Sequence, residues 1–241
     1  ISEGNKLSYL RLGDGECYGL ADQILVDERG EVRQEEHWWG EQLAVSLRRE
    51  LQSRFRGAVA ESTILGVPTV LRLIRDFNLS NHKDYPVNSL MARILCVMKG
   101  SAAYFSERVI VEDQSNLFLF DREFIDQIFR EAEKVCVVSG VRADLIKQWA
   151  PDQSKLQCIE VPTHRLLREG AVGSSTEGIL PYVYEHYVES IAALAGPKVV
   201  FLVSAGFIGK IFIAEAARNG SVALDVGQML VSAVGQKRVK G

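Results

Sequence analysis

The sequence predicts an α/β fold: a Rossmann-like, largely parallel sheet with helices on both faces, in a single domain of 241 residues. Three observations predict it. Short β-branched apolar runs recur along the chain, and Val199-Val200-Phe201-Leu202-Val203 lacks polar alternation, as a strand buried on both faces should. Segments of helical period separate these runs, and such alternation implies right-handed crossovers into a parallel sheet. No repeat, low-complexity tract or linker divides the chain.

Taken in order, Leu7–Leu12 reads as the first strand, Tyr18–Ile24 as a helix, and the charged, glycine-containing Asp27–Glu36 as a loop. His37-Trp38-Trp39-Gly40 leads into a helix over Glu41–Arg54, with Leu43, Val45, Leu47 and Leu51 toward one side. One tryptophan is expected in the core; for the other, packing and stacking on a sugar or base both stay open. Ile64–Val67 is a strand closed by Pro68, Thr69–Phe77 a helix with Arg72 and Arg75 on its polar side, and Asn78–Asn88 a polar connector. Ser89–Met98 is a helix capped by Ser89 or Asn88, and Ala102–Phe105 and Val109–Val111 are short strands. Asp121–Lys134 is an amphipathic helix with Phe124, Ile125, Ile128 and Phe129 inward. Strands at Val135–Val138, Gln157–Val161, Val199–Val203 and Val222–Val226 then alternate with helices at Arg142–Trp149, Thr176–Leu194 and Gly206–Arg218.

Composition narrows the class. The 47% apolar and 24% charged fractions are those of an ordinary globular protein. A net charge of −3 leaves no electrostatic footprint for nucleic acid or an anionic membrane. No apolar run approaches the ~20 residues of a membrane span. Cys17, Cys96, Cys136 and Cys158 are scattered without a C-x-x-C pair, so reduced thiols, three of them buried, and a cytoplasmic setting are expected. The start at Ile1 reads as a domain excised from a longer protein.

In a parallel sheet, ligands bind beyond the carboxyl ends of the strands. The loops there are Gly13–Glu16, Ser139–Arg142, Pro162–Arg165, Ser204–Lys210 and Asp225–Gln228. In the first, Gly13 and Gly15 promise unusual backbone conformations and room for a ligand. Asp14 and Glu16 share one side if the segment is extended, and two hard oxygen donors suit Mg²⁺ or Mn²⁺ completed by phosphate oxygens. Arg11 would add a charge-assisted phosphate contact. A solvated surface turn is the plainer alternative, and spacing alone does not choose. Further along, Ser204 to Lys210 presents backbone N–H groups at a helix start, with Lys210 either meeting an anion or reaching solvent. Asp225 ends an apolar strand; a ligand-side role and capping of a helix near Gln228 are both open.

Two of these motifs resemble a known family. "RLGDGE" after a strand, and "SAGFIGKIFIAEAARNGSVALDVG" near the other end, are similar to the opening and closing motifs of the GT-D glycosyltransferases, a domain family long catalogued as of unknown function. "VCVVSGVRADL" resembles a middle strand and loop more loosely. The resemblance implies transfer of a sugar from a nucleotide-diphosphate donor, a UDP-sugar above all, to a hydroxyl of a glycan or glycosylated carrier. It implies Mn²⁺ or Mg²⁺ on Asp14 and Glu16, with Asp225 as a third catalytic residue. The nucleotide-sugar would lie against Arg11, Gly13, Gly15, Ser139, Gly140, Arg142, His164, Gly206 and Lys210. The general base stays open among Glu61, His164, Glu185, His186 and Asp225.

Two other functions use the same residues. Gly206-x-x-Gly209 followed by Asp225 imitates a NAD(P)-type dinucleotide-binding unit, without the full three-glycine fingerprint and at the wrong end of the chain. It also leaves Arg11–Glu16 without work. A non-catalytic nucleotide-sugar-binding module of a glycan-assembly protein is the third.

Overall fold

The computed structural model describes residues 6–20, 26–79, 89–106, 108–165 and 172–236. Seven strands form one all-parallel sheet with helices around it: β1 (Leu7–Arg11), β2 (Ile64–Val67), β3 (Val109–Glu112), β4 (Lys134–Ser139), β5 (Leu156–Glu160), β6 (Val199–Ser204) and β7 (Val222–Asp225). The spatial order is β3-β2-β1-β7-β6-β4-β5. By contacts the chain divides into two compact units, one of Ile1–Tyr9 with Asn116–Gly241 and one of Leu10–Ser115.

In the Leu10–Ser115 unit, Asp14–Tyr18 forms a 3-10 turn, followed by α1 (Glu28–Trp39), α2 (Val45–Glu61), α3 (Val70–Leu79) and α4 (Leu90–Ser101). The helix expected over Tyr18–Ile24 is thus replaced at its start by the end of that turn, and 21–25 lie outside the described residues. The loop expected over Asp27–Glu36 is a helix. Asp27 caps it by accepting from the Gly30 amide at 3.0 Å, and Gly40, at φ 88°, ends it in the left-handed conformation. No apolar stripe announces α1 because the face it buries is polar: Glu31, Gln34 and Glu35.

That face meets α2. Glu35 accepts from Arg48 Nε at 2.6 Å, Arg48 Nη2 at 3.0 Å, the Tyr18 hydroxyl at 2.7 Å and the Leu43 amide at 2.9 Å. Gln52 donates to Glu31 at 2.6 Å and to the Tyr18 carbonyl at 2.7 Å. A buried ion pair persists when hydrogen bonds satisfy most of its polar sites. Here Glu35 is fully engaged, while Arg48 Nη1 has only the longer ion contacts to Glu31 at 3.7 Å and Glu28 at 3.8 Å. Arg48 is held above the usual guanidinium range by its hydrogen bond to Glu35, and burial followed by that same carboxylate raises Tyr18. The buried side of α2 is therefore Arg48, Leu51, Gln52, Phe55, Ala58 and Val59; Val45, expected inward, is exposed.

Trp39 is the core tryptophan, and Trp38 is half-buried with its ring edge-on to Tyr18. Ser89, not Asn88, is the cap of α4, accepting from the Ala92 amide. Ala102–Tyr104, expected as a strand, continues the helix as a 3-10 turn, a run too short for its period to be read. The connector expected over Asn78–Asn88 lies mostly outside the described residues.

In the other unit the strand registers are unbroken from Lys134↔Val199 to Ser139↔Ser204, and β4 and β6 bury Val135–Val138 and Val200–Val203 completely or nearly so. Helices α5 (Asn116–Leu119), α6 (Arg122–Glu131), α7 (Ala143–Trp149), α8 (Leu180–Leu194), α9 (Gly206–Arg218) and α10 (Met229–Gln236) complete it. Asp121 caps α6 through the Phe124 amide; Ile125, Ile128 and Phe129 are buried as expected, but Phe124 is partly exposed. α8 starts at Leu180 rather than Thr176 because Pro181 takes the first turn, where its missing N–H costs nothing. Among the described residues no helix is long and apolar enough to cross a membrane. None of the four cysteines is in a disulfide, and burial pushes the Cys17 thiol up and Cys136 up to about 12. Neither suits a nucleophile or a metal ligand.

Candidate functional site

The turn after β1 is built differently from an extended loop. Gly13 has φ −87° and ψ −170°, extended backbone open to any residue, and its amide donates to Glu16 Oε2 at 2.8 Å. In a 3-10 turn, residues two apart face different sides. The shared side expected for Asp14 and Glu16 is therefore corrected: Glu16 folds back, nearly buried, onto the start of its own turn, while Asp14 stays one-third exposed. The room expected at Gly15 for a ligand is filled by Trp38, whose ring carbon would lie 2.7 Å from a Cβ placed there.

Asp14 sits between two guanidinium groups. Arg72 Nη2 from α3 lies 3.3 Å from Oδ1, and Arg93 Nη2 from α4 lies 3.7 Å from Oδ2. Arg72 also donates through Nη1 to Asp113 Oδ2 at 2.6 Å, and Arg93 through Nη1 to Gln34 at 3.1 Å. Asp113 and Arg93 were not singled out by sequence. The signal for Asp113 was present, since Glu112-Asp113 closes the β-branched run of β3 as Asp14 follows β1.

Asp113 is almost fully buried. Burial pushes its carboxyl up to about 7, opposed by the Arg72 charge and reinforced by the hydrogen bond to Glu112. An unfolded aspartate titrates near ~3.9, so between ~pH 4 and ~pH 7 the folded protein binds the extra proton. Stability from this group is fully present below that window and falls as pH rises through it, by at most about 1.4 kcal/mol per pH unit. Asp113→Asn is expected to flatten this limb in urea melts compared at about pH 5 and about pH 8. Equal pH dependence in both proteins would rule the assignment out.

The other unit holds the remaining sequence-predicted residues. Ser139 is buried and accepts from the Val141 amide at 3.1 Å; Gly140 packs so closely on Thr163 that a Cβ would lie 3.0 Å from its Cα. Arg142 is half-buried and paired with Asp144, and the first turn of α7 is held by Glu160, which accepts from the Ala143 amide at 2.6 Å. His164 is half-buried and Arg165 exposed. Gly206 begins α9 at φ 58°, a left-handed conformation that favours glycine. Lys210 does not reach solvent: it is buried, with Nζ 3.2 Å from both Asp225 Oδ2 and the Gly206 carbonyl. Asp225, equally buried, has Lys210 on one carboxylate oxygen and so does not offer both to a ribose diol, which weakens the dinucleotide alternative. Of the candidate bases, Glu61 closes α2 just before β2 begins, at the amino end of that strand, and Glu185 and His186 are exposed on α8.

Among the described residues no group of three or more His, Cys, Asp or Glu side chains is placed to hold a metal ion. The donor chemistry nevertheless fits a cation of the Mg²⁺ type, which is bound through one or two carboxylates and completed by water and substrate phosphate rather than by a protein cage. Asp14 and Glu16 are two carboxylates on one turn, Asp14 the more open and Glu16 with Oε2 on the Gly13 amide.

No family model matches the chain, and no curated protein does. Solved structures do. A selenomethionine-substituted structure of domain of unknown function 1792 superposes with TM-score 0.52 at 14% identity, over 97% of this chain and 76% of that one. A second, described as showing that this highly conserved domain has a distinct glycosyltransferase fold, gives TM-score 0.53 at 14% identity over the same shares. The chain therefore has the fold of the domain of unknown function 1792, a distinct glycosyltransferase fold.

Proposed function

We propose that this protein is a metal-dependent glycosyltransferase that moves a sugar from a nucleotide-diphosphate donor, a UDP-sugar, to a hydroxyl of a glycan or glycosylated carrier. The observation that carries the reading is the exit of β1, where Asp14 and Glu16 lie on one short turn flanked by arginines, in a chain with a glycosyltransferase fold. Asp14 and Glu16 are the residues that would hold Mn²⁺ or Mg²⁺. Such an ion supplies charge neutralisation for a departing diphosphate. Arg11 and the arginines beside Asp14 bind the anionic part of the donor, and the Gly13 amide holds the Glu16 carboxylate in place. Asp225, oriented by Lys210, acts on the sugar side.

The test is donor hydrolysis and transfer with UDP-sugars and Mn²⁺, alongside binding of UDP and of NAD(H). Turnover with UDP-sugars and no NAD(H) binding is expected. Binding without turnover would make the protein a nucleotide-sugar-binding module, and NAD(H) binding alone would make it an oxidoreductase. Asp225→Asn is expected to lose turnover with UDP affinity kept, and to lower the melting temperature because it leaves Lys210 buried without its carboxylate. Lowered stability with turnover unchanged below the melting transition would leave Asp225 a structural partner of Lys210 only.

A further inference from the structure

We infer that Arg72 and Arg93 are the residues that grip the diphosphate of the donor, exchanging their contacts to Asp14 for phosphate oxygens. The inference rests on the donor class proposed above.

The contrast with Arg48, in the same unit, shows why the contacts of these two arginines to Asp14 are not structural clamps, although Arg72 is clamped to Asp113 through its other nitrogen. Arg48 is fully buried and grips both oxygens of one carboxylate at 2.6 and 3.0 Å. Charge-assisted contacts of settled pairs run at about 2.7–2.9 Å. Arg72 and Arg93 approach Asp14 at 3.3 and 3.7 Å, and Arg93 keeps 31% of its side chain exposed. A buried donor also belongs to this contact: Arg93 Nε has no hydrogen-bond partner among the described residues. A buried unpaired donor is costly, and a ligand that accepts from it recovers that cost.

The arrangement selects for two linked anionic centres. The two guanidinium groups come from different helices and address opposite oxygens of one carboxylate. Each is a planar fork suited to a phosphoryl group. A diphosphate offers one phosphoryl group to each; a monophosphate fills one fork and leaves the other on Asp14. Exchange of Asp14 for phosphate oxygens also frees the Asp14 carboxylate from both arginines when a donor binds. Arg72 remains anchored on Asp113 through its other nitrogen, at 2.6 Å, so it changes partner without leaving its place.

The experiment is titration calorimetry of UDP, UMP and inorganic pyrophosphate, each with Mg²⁺, into wild type, Arg93→Met and Arg72→Lys, with melting temperatures beside it. Arg93→Met is expected to weaken UDP and pyrophosphate by tenfold or more and UMP by less than threefold. Arg72→Lys, which keeps the charge on Asp113 but loses the fork, is expected to show the same order of preference. If wild type binds UDP and both variants bind it equally well, the inference fails and the donor reading stands. If UDP and UMP weaken alike, the diphosphate assignment fails. If wild type binds neither UDP nor pyrophosphate, the donor reading fails and takes the inference with it.

Discussion

Asp14→Asn is expected to lower sugar transfer by about 10²–10³-fold, the usual loss when one group that stabilises developing charge is removed. The same change should move stability little. Asp14 is one-third exposed and its ion pairs are long, and such pairs contribute ~0–1 kcal/mol. In a protein of this length that is a shift of roughly 2–4 °C at most. Transfer should also stop in chelator and return with Mn²⁺. Full activity in the variant, or activity surviving the chelator, would show the metal assignment to be wrong. Glu16 is the less clean test, because its carboxylate holds the Gly13 amide and shapes the turn. Removing it altogether also costs about 1 kcal/mol of capping.

The largest stability effect belongs to Arg48. Arg48→Met leaves the Glu35 carboxylate buried and uncompensated, and breaking such a pair costs about 3–5 kcal/mol. The melting temperature should fall by roughly 6–20 °C. Replacing both partners removes the stranded charge, so Arg48→Met with Glu35→Leu should recover part of the loss, although Tyr18 and the Leu43 amide then lack their acceptor. A single variant losing less than about 1 kcal/mol in urea melts would mean that the pair is not holding α1 to α2. Because Tyr18 closes the turn that begins at Asp14, loosening this network should also reach the site. Activity lost well below the melting transition is the measurement that would show it.

What the sequence determined by itself was most of what is written in apolar periodicity, Val45 and Phe124 excepted. The β-branched runs of β4 and β6 sit in the middle of the sheet's second half, and the parallel order follows from strands alternating with helices. The same pattern directed attention to the ends of the strands and so to Arg11–Glu16. Tertiary structure alone decided where polar residues are buried. α1 looked like a loop because Glu31, Gln34 and Glu35 carry no hydrophobic signal, and they become an inner face only when Arg48 and Gln52 meet them from another helix. Lys210 and Asp225 likewise looked like two independent ligand groups until folding closed them on each other. The carboxylates of Asp14 and Glu16 were visible, but their division of labour was not. It depends on a 3-10 turn set by the Glu16–Gly13 bond and on arginines 58 and 79 residues downstream (72 − 14 and 93 − 14). Burial of apolar area is non-directional and can be read one residue at a time. A buried charge is tolerated only with a partner in place, and that partner is known only once the chain has folded.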